Sequence, residues 1–327
     1  MSPERQVNPE RPVNPERPVN PGDTSGLDAD YAASVEAEAR KWGAHLQVEA
    51  AGSMLAWLDH PLVRAHYLER ATVDGESWDQ WVRRTLGGPA ERSLHLGCGS
   101  ALRSIKLWED GVARSIDGLD ISGDRVREAE QQRAAVGGAP GRFWVEDVNT
   151  ATLPGGCYDL VFADHSLHHF LALERVMEQV AQALTPRGLF VLEEFVGPTQ
   201  FQWTERQMKL VAALLEALPE AMRILPWGAV KHAEGRPAVA DVVAASPFES
   251  IRSAEIVPIF HRFFDAVAVR NLGGTLQHLL YNGIANRFWP LTAESERFVK
   301  AIFEVEDSLV DAGMLGSDFM LLVGRAR

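Results

Sequence analysis

The sequence predicts an α/β protein: a doubly wound, mostly parallel sheet, preceded by a helical cap and interrupted by a lid insertion. Three observations predict it. From Ser93 onward, short apolar runs alternate with longer stretches of helical periodicity, the pattern of βαβ units. Before about residue 90 only helical periodicity is found. Over about 197–260 the alternation stops and then resumes. An insertion that follows a strand lies over the carboxyl edge of the sheet and is expected to act as a lid or substrate-recognition element. The expected division is a tail over 1–24, a cap over 25–90 and a main domain over 91–327 that carries the insertion.

The 327 residues, 46% of them hydrophobic, are enough chain to bury a large core without a covalent staple. Two cysteines, Cys98 and Cys157, exclude a disulfide framework and suggest a reducing compartment, so a cytoplasmic setting is expected. No apolar run is long enough to span a membrane, and the start of the chain lacks the apolar core of a secretory signal. A net charge of −13 argues against nucleic acid and anionic membrane surfaces as partners. A small molecule remains; the oligomeric state is not readable.

The elements follow in order. In the tail, Val-Asn-Pro-Glu-Arg-Pro occurs at 7–12 and again at 13–18, and six of the 18 prolines precede residue 22. Proline fixes φ and removes donors, and little here is apolar, so an extended, disordered spacer is expected. Tyr31–Leu46 and Met54–Tyr67 read as helices. Ser93–Leu96 reads as a first strand, Ala101–Trp108 as a helix, Ser115–Leu119 as a second strand and Gly123–Ala135 as a helix. Arg142–Val145 and Tyr158–Ala163 are the third and fourth strands. Leu173, Val176, Met177, Val180 and Leu184 then form one apolar helical stripe. Thr185-Pro186-Arg187-Gly188 stops it, and Leu189–Phe195 is the fifth strand. A helix near Glu205–Leu218 lies in the insertion. Ala266–Val269, helices from Thr275 and over Thr292–Ala312, and a last strand, Phe319–Val323, complete the chain.

The chemistry gathers at successive strand ends. The first strand runs into Leu96-Gly97-Cys98-Gly99-Ser100 and a helix, a sharp turn that lets backbone approach a ligand beside unpaired amides. Asp120 ends the second strand, 23 residues after Gly97, where an acid can accept both hydroxyls of a ribose. Glu146-Asp147 ends the third, where a carboxylate can accept from an adenine amino group. Open parallel sheets bind ligands at that edge. A dinucleotide fingerprint needs a third glycine at position 102, and Leu102 stands there. That leucine is expected to block the close helix–strand approach a pyrophosphate needs. A phosphate-free nucleoside tolerates it.

These segments resemble the core of the class I S-adenosylmethionine-dependent methyltransferases. The likeness runs over residues 92–196 through Ser93–Ser100, Gly118-Leu119-Asp120-Ile121-Ser122, Val145-Glu146-Asp147-Val148, Tyr158–Ala163 and Leu184–Gly188. The resemblance implies a Rossmann-like, seven-stranded sheet whose last strand is antiparallel and lies between the fifth and sixth. It implies S-adenosylmethionine as cofactor, with Gly97, Cys98 and Gly99 lining its methionine and ribose part. Asp120 would bind the ribose hydroxyls with Ile121 packed on the adenine, and Asp147 the adenine amino group with Val148 beside it. Asp164 and His165 would sit near the methionine end and the methyl group. The chain departs from the family pattern at His95, where an acid is usual, and at Ala101, where a glycine is common.

Outside those motifs, Asp164-His165-Ser166-Leu167-His168-His169 is dense in imidazole. Without a second ligand cluster no metal is expected. His165 or His168 as general base is one reading, since imidazole suits proton transfer near neutral pH. Packing at the start of the next helix is the other. Trp42 and His45 on the N-terminal helix and His169 are candidate acceptor contacts. So are Phe201 and Trp203, which follow the fifth strand and could wall an apolar or aromatic acceptor. Glu193 and Glu194 are adjacent on that strand, so they face opposite sides, and Glu194 is taken to reach the acceptor. The expected reaction is methyl transfer to an oxygen, nitrogen or carbon of a small organic acceptor, in secondary metabolism. A nicotinamide-dependent oxidoreductase and a non-catalytic cofactor-binding scaffold are the alternatives.

Overall fold

The computed structural model describes residues 29–50 and 56–327, with no side-chain description over 45–55. The repeat tail and the His45 side chain lie outside the described residues. Seven strands form one sheet in the order β3-β2-β1-β4-β5-β7-β6. They are β1 Ser93–Leu96, β2 Ile116–Asp120, β3 Phe143–Val145, β4 Tyr158–Asp164, β5 Leu184–Phe195, β6 Phe264–Gly273 and β7 Phe319–Ala326. Neighbours from β3 to β5 pair parallel. β7 is antiparallel to both β5 and β6. The central strands β1 and β2 are buried along their whole length, as expected of a sheet covered on both faces. One apolar core lies on each face, the first gathering Ile105, Phe162 and Val191, the second Leu94, Val161 and Leu192.

Among the described residues three helices precede the sheet: α1 Ala29–Ala50, α2 Pro61–Arg70 and α3 Trp78–Leu86. Met54–Tyr67 is not one helix. Its described part is a 3-10 turn, Trp57–Asp59, then α2, because Pro61 opens a new helix at N1 and holds His60 extended. The crossovers supply α4 Leu102–Glu109, α5 Gly123–Ala135 and α6 Leu173–Ala183. After β5 come α7 Glu205–Ala217, α8 Val239–Ala245 and α9 Ile256–Phe263, and then α10 Gln277–Tyr281 and α11 Ala293–Asp311 flank the last strands. α7 and α11 start at Thr204 and Thr292, whose side chains accept from backbone amides as caps. No helix among the described residues is long and apolar enough to cross a membrane.

The first helix bears on the carboxyl edge. α1 crosses α5 so closely that a Cβ on Gly43 would lie 2.5 Å from Asp124 Oδ2. The Arg125 guanidinium donates to the Trp42 carbonyl there. The loop after α8 seals the outer side of α1: the Ser246 hydroxyl donates to Glu38, and Lys41 pairs with Glu249 at 2.9 Å.

Candidate functional site

The turn between β1 and α4 floors a cavity of about 380 Å³ at the carboxyl edge. Gly97 sits there at φ +64°, and a Cβ on it would fall 2.6 Å from the Ser166 Cβ, so only glycine fits. The next backbone amides are spent on the walls. Cys98 N–H donates to the Leu119 carbonyl, Gly99 N–H to Asp120 Oδ2 at 2.9 Å, and Ser122 N–H to Asp120 Oδ1 at 2.8 Å. Each Asp120 oxygen keeps acceptor capacity for a hydroxyl. Burial raises the Asp120 carboxyl pKa, against the opposing pull of those amides and Arg125. Farther along the edge, Asp147 Oδ1 accepts from the Asn149 backbone and side chain, and Oδ2 from the Tyr31 hydroxyl of α1. Asn149 in turn accepts from Leu171 and Ala172 N–H, which ties this corner to the start of α6.

The other end of the cavity is built from side chains. Arg103 on α4 donates to Asp164 Oδ2 at 3.1 Å and to Glu193 Oε2 at 2.8 Å, and the Trp78 indole N–H also reaches Glu193 Oε2. Burial pushes the Asp164 carboxyl up, but Arg103, with His165 and His95, outweighs it and holds it low. Burial and then Asp164 itself push Glu193 up. His165, at φ +50°, places Nε2 3.4 Å from the Tyr67 hydroxyl. On the floor, burial holds the His95 imidazole at about 4. Its Nδ1 meets Ser104 Oγ at 3.0 Å and its ring stacks on Phe162.

Of the residues singled out from sequence, Gly97, Cys98, Gly99, Asp120, Ile121, Asp147, Val148, Asp164, His165, Trp42 and His169 all line this cavity. The structure does not bring Phe201 and Trp203 to it. They stack on each other at 5.3 Å and close against Phe195 and His278. Glu194 does not reach outward either. It is fully buried, accepts from Ser166 and Leu167 N–H, and holds His168 Nδ1 at 2.5 Å. His168 is thereby a structural partner of Glu194 behind the cavity wall. Burial lowers its pKa, but Glu194 overrides that and the net direction is up. Leu102 is largely exposed at the mouth, so it does not separate helix from strand, and the case it made against a dinucleotide lapses.

Several lining residues had no signal in the sequence. Glu38 and Phe248 close the cavity from α1 and the insertion, and Arg103 lies along it. Glu38 accepts from Trp42 Nε1 at 2.7 Å and faces His169 Nδ1 at 3.2 Å. Burial alone would raise it, yet His169, Ser246 and Trp42 bring its pKa down to about 2. Two triads, Asp164/His165/Glu193 and His168/His169/Glu249, are compact enough to consider for a metal. The chain's own cations already pair with their carboxylates, Arg103 in the first and Lys41 in the second.

A nucleoside-sized cavity between a glycine turn and two strand-end acids, on a sheet whose last strand runs antiparallel between the fifth and sixth, defines a class I methyltransferase architecture. The methyltransferase-domain family matches residues 88–260, more than half of the chain. The chain belongs to this S-adenosylmethionine-dependent family, and S-adenosylmethionine is the cofactor that goes with it. An uncharacterized methyltransferase of Mycobacterium bovis is 30% identical over 109 residues, 32% of this chain and 51% of that protein. A malonyl-[acyl-carrier protein] O-methyltransferase of Ilyobacter polytropus is 27% identical over 112 residues, 34% and 42% of the two chains. The chain thus spans about half the length of the curated relatives it matches. Among solved structures, a geranyl diphosphate methyltransferase in complex with S-adenosylmethionine is similar at a TM-score of 0.47 and 15% identity, over 94% of each chain. A Mesorhizobium loti S-adenosylmethionine-dependent methyltransferase is similar at 0.43 and 18% identity, over 76% of this chain and 96% of that one.

Proposed function

We propose that this chain transfers a methyl group from S-adenosylmethionine to a nucleophilic oxygen, nitrogen or carbon of a small organic acceptor. The observation that carries the reading is Asp120, fixed by the Gly99 and Ser122 amides with acceptor capacity to spare, between the glycine turn and Asp147. This reading gives Asp120 the two ribose hydroxyls and Asp147 the adenine, with Ile121 and Val148 beside the base. The bound cofactor supplies a methyl carbon made electrophilic by a sulfonium. Asp164 and His165 stand at the far end of the cavity, the end this reading gives to the methionine part and the acceptor. Positioning and exclusion of water supply most of the rate in such a displacement. The insertion over about 197–260 is a lid in this reading: Phe248 lines the cavity, and Glu249 and Ser246 fasten to α1.

The net charge of −13 suits a small acceptor over nucleic acid. One relative is named for O-methylation of a malonyl group, which makes oxygen the first acceptor atom to test. A cytoplasmic role in secondary metabolism belongs to the same proposal. Calorimetric titration with S-adenosylmethionine, S-adenosylhomocysteine and NAD tests it. The two sulfur nucleosides are expected to bind and NAD not. Binding of NAD alone would shift the reading to an oxidoreductase. Cofactor binding without label transfer from [methyl-³H]-S-adenosylmethionine to any candidate acceptor would reduce it to a scaffold.

A further inference from the structure

Tyr67 lies on α2, distant in sequence from every motif above, and is buried. Its hydroxyl is 3.4 Å from His165 Nε2, the rings meet at 6.2 Å, and Phe319 packs on both. The same nitrogen faces Asp164 Oδ1 at 3.8 Å and Glu193 Oε1 at 3.9 Å. Among the described residues, the two carboxylates and the hydroxyl that approach the imidazole all do so on its Nε2 side. Nδ1 makes no hydrogen bond among the described residues, while His165 lines the cavity. Burial, then Glu193, Asp164 and Glu194, push the Tyr67 phenol well above its ordinary pKa. It stays a neutral O–H whose lone pairs can accept, beside a ring nitrogen that two carboxylates already favour as an N–H. Arg103 supplies the cation that keeps the two carboxylates tolerable at this depth.

We propose that Tyr67, backed by Glu193, is a positioning residue that fixes the proton of neutral His165 on Nε2, leaves Nδ1 as the base, and suits the site to acceptors that must lose a proton, a hydroxyl or an acidic C–H. The inference rests on the methyl-transfer reading. In the step, the acceptor's proton moves to Nδ1 as its freed electron pair forms the bond to the methyl carbon. The carbon–sulfur bond breaks with its pair going to sulfur, leaving S-adenosylhomocysteine, the methylated acceptor and a His165 imidazolium. The imidazolium faces two carboxylates through Nε2–H and passes its extra proton to solvent. An amine acceptor has less need of such an arrangement, because water can take its proton before the lone pair attacks.

The test is the tautomer of His165, read by long-range ¹H–¹⁵N NMR of histidine-labelled full-length protein and assigned with His165→Gln. In wild type the Nε2–H form should exceed the Nδ1–H form by at least about tenfold. Tyr67→Phe should cut that ratio by about fivefold, the equivalent of one neutral hydrogen bond. A wild-type resonance in the Nδ1–H form overturns the proposal, and so does a ratio unchanged in Tyr67→Phe. The wild-type spectrum alone decides should the variant not fold. The tautomer is read in the free protein, so it fails or stands separately from S-adenosylmethionine binding measured on the same sample.

Discussion

The two ends of the cavity hold their carboxylates by different means. At the glycine-turn end, Asp120 and Asp147 are held mostly by backbone amides from residues close in the chain or on the adjoining turn: Ser122, Asn149 and Gly99. At the far end, Asp164 and Glu193 are held by side chains from remote helices: Arg103, and for Glu193 also Trp78, 115 residues away. Amides fixed by secondary structure cost little further entropy to aim at a carboxylate. A guanidinium must be ordered and partly desolvated to do the same, and its loss leaves a buried charge uncompensated. The first end should therefore fail locally, through ligand affinity, and the second globally, through stability.

The largest expected effect is at the second end. Arg103→Met leaves Asp164 and Glu193 close together without their cation, and a loss of about 3 kcal/mol of folding stability is expected. The sign with pH is checkable. In wild type Asp164 sits below its ordinary pKa, so it contributes stability above that value. In the variant burial and mutual repulsion push both carboxyls up. The folded state then binds a proton that the unfolded state does not, and stability falls as pH rises. The deficit should be larger at pH 8 than at pH 5 in urea titrations; a pH-independent loss would break the contrast.

Next is Asp120→Ala. On the proposed ribose role two hydroxyl contacts to a charged acceptor are lost, and the Gly99 and Ser122 amides lose their partner. S-adenosylmethionine affinity should fall about 100-fold, with a smaller loss of folding stability than Arg103→Met causes. Calorimetric titration and thermal melts measure the two. A variant that binds as wild type removes Asp120 from the ribose role. One that melts far lower would show this end to be as global as the other.

The same contrast explains what the sequence made legible. Gly97, Asp120 and Asp147 could be found because each stands at a strand end, and Gly123–Ala135 carries its own start and stop. Arg103 is four residues past Gly99, yet nothing near it names Glu193, 90 residues on, as its partner. Tyr67 and Trp78 looked like ordinary helix positions. Phe201 and Trp203 lie against Phe195 and His278 instead of in the cavity for a related reason. Following a strand places a residue near the edge but not inside the cavity, and apolar rings satisfy one another first. Pro61 was a visible breaker inside Met54–Tyr67, overridden by an apolar spacing that two successive helices also produce. β6 runs over Phe264–Gly273, longer than the Ala266–Val269 expected, because as an edge strand it exposes Val267 and Val269 and gives no buried run to read.

α1 covers the cavity from Tyr31, on Asp147, to Glu38, on His169, and its fastening should give a smaller, acid-sensitive effect. Glu38, held at about 2, contributes stability that is present above its ordinary pKa and lost as pH falls from about 4.5 toward 2. Over that window, amides of α1 should lose hydrogen-exchange protection before those of β1. Glu38→Gln should weaken the docking by about 2 kcal/mol at neutral pH and remove the acid step. Simultaneous loss in α1 and β1 would mean that the helix is part of the core rather than a closure over the cavity.

The smallest effect belongs to Ala101, which the glycine turn holds at φ +61°. An alanine in the left-handed region costs about 1 kcal/mol, and Ala101→Gly removes that cost. Against it stand the methyl's burial, worth about 0.8 kcal/mol, and the entropy a glycine gains when unfolded, about 0.5–1 kcal/mol. These terms nearly cancel, so the melting midpoint should move by the equivalent of less than about 1 kcal/mol. S-adenosylmethionine affinity should stay within about twofold, because the amides of Cys98 and Gly99 keep their partners on Leu119 and Asp120. A larger loss of affinity would show that the alanine methyl, buried between the turn and α4, sets the aim of those amides, and that even the backbone-held end depends on one side chain.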